Sequence, residues 1–64
     1  MEEKILEHLR SKLREMMNER ADYLAAGACP DWSEYKRLTG VIEGLALAER
    51  EILDLADRLK RAEQ

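Results

Sequence analysis

The chain has 64 residues and a net charge of −3, and 39% of its residues are charged. A chain of this length forms at most one domain, residues 1–64, and a single core of that size rarely contributes more than about 3–5 kcal/mol. One cysteine and one histidine exclude an internal disulfide and a His/Cys metal cluster, so a partner chain is the remaining source of stability.

The composition also narrows the function classes. The acidic balance argues against a nucleic-acid-binding protein, which usually carries a basic bias. No apolar run approaches the roughly 20 residues of a membrane span, and the first residues lack the apolar segment of a signal peptide. We therefore expect neither secretion nor membrane insertion, and the free cysteine fits a reducing compartment such as the cytoplasm. The absence of phenylalanine and the scarcity of β-branched residues disfavour strands.

The first predicted element is a helix over residues 2–26, which contain neither proline nor glycine. Glu2 and Glu3 stand at its N-terminal end, where the helix dipole favours negative charge, and Gly27 is the expected C-terminal cap. Apolar residues recur at the helical spacing of three and four, at Leu6, Leu9, Leu13, Met16, Met17, Ala21 and Leu24.

Residues 27–31, GACPD, form the predicted corner. Pro30 cannot continue the first helix but can precede a second one. Asp31 is a favourable N-cap, and Glu34 three residues later completes a capping-box pattern, so the second helix should begin directly after Asp31. Ser33 is a rival N-cap that would start the helix two residues later.

The second predicted helix covers about residues 32–62 and carries two overlapping apolar seams with three-four steps. The first seam is Tyr35, Leu38, Ile42, Leu45, Glu49, Ile52, Ala56 and Leu59. The second seam is Leu38, Val41, Leu45, Ala48, Ile52, Leu55, Leu59 and Ala62. One antiparallel neighbour covers a single narrow seam, so two adjacent seams indicate more than one neighbour.

The short corner makes the two helices antiparallel. The predicted fold class is therefore all-α, an antiparallel two-helix hairpin over residues 2–26 and 32–62 that is completed by self-association into a helical bundle. Pairing about the corner places Leu6 near Ile52. It also places Arg10 near Glu49, the one charge in the first seam, where an ion pair would fix register and orientation.

Two glycines, Gly40 and Gly44, lie on one side of the second helix, and Ala48 follows one turn later. An interior glycine costs about 0.5–1 kcal/mol relative to alanine. We interpret these residues as a ridge for close helix packing, within the chain or between chains, or as a groove for a partner. The predicted helix-packing and interface residues are Tyr35, Leu38, Gly40, Val41, Gly44, Leu45, Ala48, Ile52, Leu55 and Leu59.

No catalytic, cofactor-binding or metal-binding residue is predicted, and the chain is not expected to be an enzyme. Cys29 lacks a general base within reach, because His8 lies well down the first helix. His8 is interpreted as a solvated helix residue. The aromatic residues at the corner, Tyr23, Trp32 and Tyr35, allow two interpretations: packing in the core, or a contact patch for a partner.

The segment Asp31–Leu59 resembles a group of small, largely uncharacterised helical proteins encoded by tailed bacteriophages. They share a Tyr-x-x-Leu-x-Gly-x-Ile-x-Gly-Leu-x-x-Ala pattern, which is matched here by Tyr35, Leu38, Gly40, Ile42, Gly44, Leu45 and Ala48. Their genes often lie near head and portal genes. The resemblance implies a role in the virion or its assembly, and it assigns no functional residue.

The predicted function is thus that of a non-enzymatic helical hairpin that oligomerises or docks on a larger phage assembly. Its expected location is the cytoplasm of the infected host or the virion. The alternative is a small phage regulatory protein that binds a host protein or a nucleic acid.

Overall fold

The protein is described by a computed structural model that covers residues 2–63, with side chains for residues 3–62. It contains two helices, α1 (Glu2–Ala25) and α2 (Trp32–Glu63), and no strand within residues 2–63. The helices pack against each other as a hairpin with dimensions of 50 × 15 × 12 Å. The predicted two-helix, all-α architecture is confirmed, and its helix boundaries differ by one residue at the C-terminal end of each helix.

The end of α1 is set by Gly27, whose φ of 72° is left-handed and is strained for residues with a Cβ. The Gly27 N–H donates to the carbonyl of Leu24 at 3.1 Å, and the Ala28 N–H donates to the carbonyl of Tyr23 at 3.4 Å. These two bonds form a Schellman motif and satisfy carbonyls that the helix leaves unpaired. The glycine cap is therefore confirmed.

The start of α2 is capped by Asp31, because its Oδ1 accepts the backbone N–H of Glu34 at 2.8 Å. Asp31 as N-cap is confirmed, and the rival start at Ser33 is wrong. The reciprocal half of the capping box is not observed. The Glu34 carboxylate instead accepts two hydrogen bonds from Arg37, of which the one from Nε measures 3.0 Å. An arginine one turn along the helix competes with the backbone for that carboxylate.

The contact between α1 and α2 buries little. Within residues 3–62, only Met17 and Leu38 are buried apolar side chains, and each is 6% exposed. The predicted pairing is confirmed at the end of the hairpin opposite the corner, here called the open end, where Leu6 and Ile52 line the same groove. The half-buried apolar residues of the two helices are Leu6, Leu13, Leu24, Val41, Ile42, Leu45, Ala48, Ile52, Ala56 and Leu59.

Neither helix meets the length and hydropathy needed to cross a bilayer, as far as residues 2–63 are concerned.

Replacing Asp31 by alanine should lower the free energy of unfolding by about 0.5–2 kcal/mol, since the Glu34 N–H loses its acceptor. Ser33→Ala is the matched control and should change it by less than about 0.5 kcal/mol. Urea denaturation followed by circular dichroism at one protein concentration measures both. A larger effect for Ser33→Ala would contradict the assigned cap.

Candidate functional site

One side of α1 exposes large apolar side chains along its whole length. Ile5, Leu9, Met16 and Tyr23 are between 39% and 63% exposed. They are spaced four, seven and seven residues apart, which places them on one side of the helix. Only the adjoining strip of α1, which contains Met17 and Leu13, faces α2. The contact between the helices therefore leaves this second strip of α1 uncovered.

The second seam of α2 lies on the same side of the hairpin. At the open end, Ile5 and Leu6 of α1 line one groove together with Leu55 and Leu59 of α2. Near the corner, Tyr23 of α1 lines a groove with Val41 of α2. The two strips thus form one continuous surface, here called the apolar face, made of Ile5, Leu9, Met16, Tyr23, Val41, Gly44, Ala48, Leu55 and Leu59.

The glycines of α2 make no close contact within the chain. Apart from the glycine itself, its chain neighbours and the adjacent backbone of α2, no atom of the described residues lies within 4 Å of a Cβ added at Gly40 or at Gly44, and both glycines are exposed. The interpretation that they let α1 approach α2 closely is therefore wrong. Ile42 and Leu45, on the neighbouring strip, turn toward α1 instead. Gly44 lies one turn before Ala48 at the edge of the apolar face, where the absence of a side chain leaves a depression in the surface.

The other side of the hairpin carries an ion-pair cluster centred on Glu49, which is only 6% exposed. Arg14 donates to both carboxylate oxygens, from Nη2 to Oε1 at 2.6 Å and from Nε to Oε2 at 3.1 Å. Arg10 Nη1 lies 3.6 Å from Oε2. The predicted pair of Arg10 and Glu49 is confirmed, but Arg14 makes the stronger, bidentate contact.

The role of Arg14 was missed, although the sequence contained a signal for it. Arg14 follows Arg10 by four residues, so both side chains stand on the same side of α1 within reach of one carboxylate. The cluster compensates a carboxylate that would otherwise be buried without a partner. It also fixes the rotation of α1 about its own axis, which leaves the apolar strip pointing away from the charged side.

The aromatic residues of the corner do not form a core. Trp32 is 68% exposed and Tyr35 is 43% exposed, so the interpretation of core packing is wrong for both. Their rings stack with centroids 5.3 Å apart at an angle of 17°, and Lys36 Nζ lies 6.0 Å from the Trp32 ring. Helical spacing places Tyr35 on the side of Ile42 and Glu49, away from Tyr23 and the apolar face.

The predicted interface residues therefore separate into groups. Leu38, Leu45 and Ile52 serve the contact with α1, while Tyr35 joins the aromatic stack. On or beside the apolar face lie Gly40, Val41, Gly44, Ala48, Leu55 and Leu59. The contribution of α1 to this face was missed, because Leu9 and Met16 were assigned to one stripe with the residues that pack on α2.

The two residues considered as candidates for chemistry, His8 and Cys29, lie in different parts of the hairpin. His8 is exposed on α1, and Cys29 is half-buried at the corner, where its Sγ donates to the Asp31 carbonyl at 3.6 Å. Within the described part of the chain, no three His, Cys, Asp or Glu side chains gather as metal ligands do.

No family model matches the chain, and neither a curated protein nor a solved structure shows significant similarity to it.

Substituting Arg14 by methionine should lower the free energy of unfolding by about 1–3 kcal/mol, because a buried carboxylate loses two charge-assisted hydrogen bonds. Arg10→Met should cost less, since Arg10 makes one longer contact. Urea denaturation at fixed protein concentration measures both, with Arg50→Met as an exposed control. A larger loss for Arg10→Met than for Arg14→Met would contradict the assigned geometry.

The hydrogen bonds from Arg37 hold the pKa of the Glu34 carboxyl below its ordinary value. Arg37→Gln should therefore raise that pKa, as measured by NMR titration of the Glu34 carboxyl carbon. Because the folded-state pKa is the lower one, the pair stabilises the fold above the unfolded-state pKa. That contribution is lost as the pH falls through the folded-state pKa. An unchanged pKa in Arg37→Gln would show that the pair does not persist in solution.

Proposed function

We propose that this protein is a non-enzymatic interaction protein that oligomerises or docks on a larger assembly through its apolar face. The observation that carries the proposal is the exposure of Ile5, Leu9, Met16 and Tyr23 along α1, on the side of the hairpin where Leu55 of α2 is also exposed. A contiguous apolar surface of this kind on a small protein is typical of an interaction site.

Energetics support the same function. Fully burying one aliphatic side chain contributes about 1.5–3 kcal/mol. Because Ile5, Leu9 and Leu55 are about half exposed, covering all three contributes roughly half of the summed value, which is still comparable to the stability expected of the whole hairpin. A partner that covers them gains this free energy on association. The charged side, with Glu49 and its two arginines, offers no comparable gain, because its charges are already paired.

We further propose that the assembly is that of a tailed bacteriophage, as a virion or morphogenesis component. The resemblance over Asp31–Leu59 supports this proposal. Its motif residues fall on two sides of α2. Leu38 and Leu45 pack toward α1, whereas Gly44 and Ala48 lie on the apolar face. The motif thus describes a helix that packs on two sides, as a component of an assembly does.

A regulatory protein that binds a host factor is the second candidate, and the aromatic corner favours it. Trp32 and Tyr35 are exposed, stacked and adjacent to Lys36. Tryptophan and tyrosine are enriched among the residues that dominate binding energies at protein interfaces. This surface is separate from the apolar face, so the two functions predict different sensitive residues.

Leu55→Glu should abolish incorporation of the protein into assembled virions, because it places a charge in the apolar face. Leu47→Glu is the matched control. Leu47 is 59% exposed and lines a groove with charged residues on another side of α2, so its substitution should leave incorporation unchanged. The measurement is the copy number of the protein in purified virions from cells that express each variant.

Wild type at a fixed copy number per virion, with loss only in Leu55→Glu, is the expected result. Wild-type protein that is absent from virions and bound to a host factor in the lysate would support the regulatory candidate instead. Equal incorporation of both variants would show that the apolar face is not the docking surface.

A further inference from the structure

We propose that the occupant of the apolar face is a second copy of this chain, related by a twofold axis that runs along the hairpin. The two corners then lie at the same end of an antiparallel four-helix bundle, and α1 of each copy covers α2 of the other. This inference rests on the proposed function, since it names the partner and the geometry of an interaction through the same face.

The hairpin exposes more surface than a folded monomer of its mass, and the excess is about the area that a second copy would cover. The chain exposes 5132 Å², whereas a folded monomer of its mass typically exposes about 4,200 Å². The excess of about 900 Å² is close to the roughly 800 Å² per partner of a standard specific interface. The broad side of the hairpin, 50 Å long and 15 Å wide, provides a surface of that size.

The charges within the apolar face are complementary to those of a second copy. On α1, Lys12 and Glu19 continue the exposed strip at the same helical spacing as Leu9, Met16 and Tyr23. On α2, Glu51 and Arg37 continue the strip of Val41, Ala48 and Leu55. Lys12 and Glu51 stand in the half near the open end, and Glu19 and Arg37 stand in the half near the corner.

When α1 of one copy covers α2 of the other along a lengthwise axis, Lys12 meets Glu51 and Glu19 meets Arg37. Lys12, Glu51 and Glu19 then each meet a charge of opposite sign, and Arg37, which already pairs with Glu34 within its own chain, lies beside Glu19 of the other copy. Self-complementarity of this type is what a twofold interface requires.

The grooves determine the direction of the axis. At the open end the face is wholly aliphatic, with Ile5, Leu6, Leu55 and Leu59. Near the corner its groove contains four charged residues, Glu19, Arg20, Glu34 and Arg37. A crosswise axis would place the aliphatic groove of one copy over the charged groove of the other, at a cost in desolvation. The lengthwise axis instead places the aliphatic groove of one copy over the same groove of the other copy.

The lengthwise arrangement also accounts for Gly44. In the observed pairing of the helices, Gly44 and Met16 stand at nearly the same distance from the corner. Met16 of the second copy therefore lies over Gly44, where an added Cβ would meet no side chain of the described residues. Met16, which is 39% exposed in one chain, would be buried there. The glycine thus allows close approach between chains rather than within one.

Sedimentation equilibrium of the full chain tests the occupant. We expect a dimer at micromolar concentration. Leu55→Glu should raise the dissociation constant by at least about 30-fold because it buries a charge, and Leu47→Glu by less than about 3-fold because it lies outside the face. Gly44→Leu should raise it by at least about 10-fold through overpacking. Gly40→Leu, the same change one turn nearer the corner, should have a smaller effect.

The native Cys29 tests the axis, because it is the only cysteine and lies at the corner. With a spin label on each Cys29, pulsed dipolar spectroscopy should give a separation of about 20 Å, roughly twice the distance between packed helix axes. A crosswise dimer would separate the labels by nearly the 50 Å length of the hairpin. A label at Ala62→Cys in a Cys29→Ser background should also give a short distance.

A monomer at all concentrations tested, or a long separation at Cys29, would overturn the inference. The proposed function is tested separately, by the copy number in virions. A monomer that still enters virions through Leu55 contradicts only the second copy. A lengthwise dimer that never enters virions contradicts only the proposed role in a phage virion.

Discussion

Two helices can cover each other on one side only, and this constraint governs everything else about the protein. Each helix is apolar over more than the strip its neighbour reaches, so the contact between α1 and α2 buries Met17 and Leu38 and leaves Leu9, Met16 and Leu55 uncovered. Residues 2–63 contain no third element that could cover them. The apolar side chains that the two helices leave uncovered therefore form a surface available for association.

The Glu49 cluster determines which side of the hairpin that surface occupies. A carboxylate in the seam is tolerated only where cations reach it, and Arg10 and Arg14 do so from one side of α1. Placing these arginines over α2 rotates Ile5, Leu9 and Met16 to the opposite side, next to Leu55 and Val41. The buried ion pair contributes more to the orientation of the helices than to net stability.

Local interactions thus determine where the helices begin and end, whereas packing between the helices determines which apolar side chains are covered. Gly27 and Asp31 end one helix and start the next through backbone hydrogen bonds that close within a few residues. The exposed apolar strips are not covered in the same way, because neither helix reaches Leu9, Met16 or Leu55. The proposed interaction function fits this division: the fold is local and simple, and the largest remaining gain in free energy is the burial of the apolar face.

The two helices, their caps, the antiparallel corner and the pairing of Arg10 with Glu49 could be predicted from the sequence. The helices and caps depend on periodicity and on residues close together in the chain, and the Arg10–Glu49 pair follows from counting residues back from the corner. The packing of the helices was needed to show that Trp32 and Tyr35 stack in the open, that Arg14 makes the closest contact with Glu49, and that Gly44 faces outward. Each of these depends on the rotation of one helix against the other, a property that neither helix encodes alone.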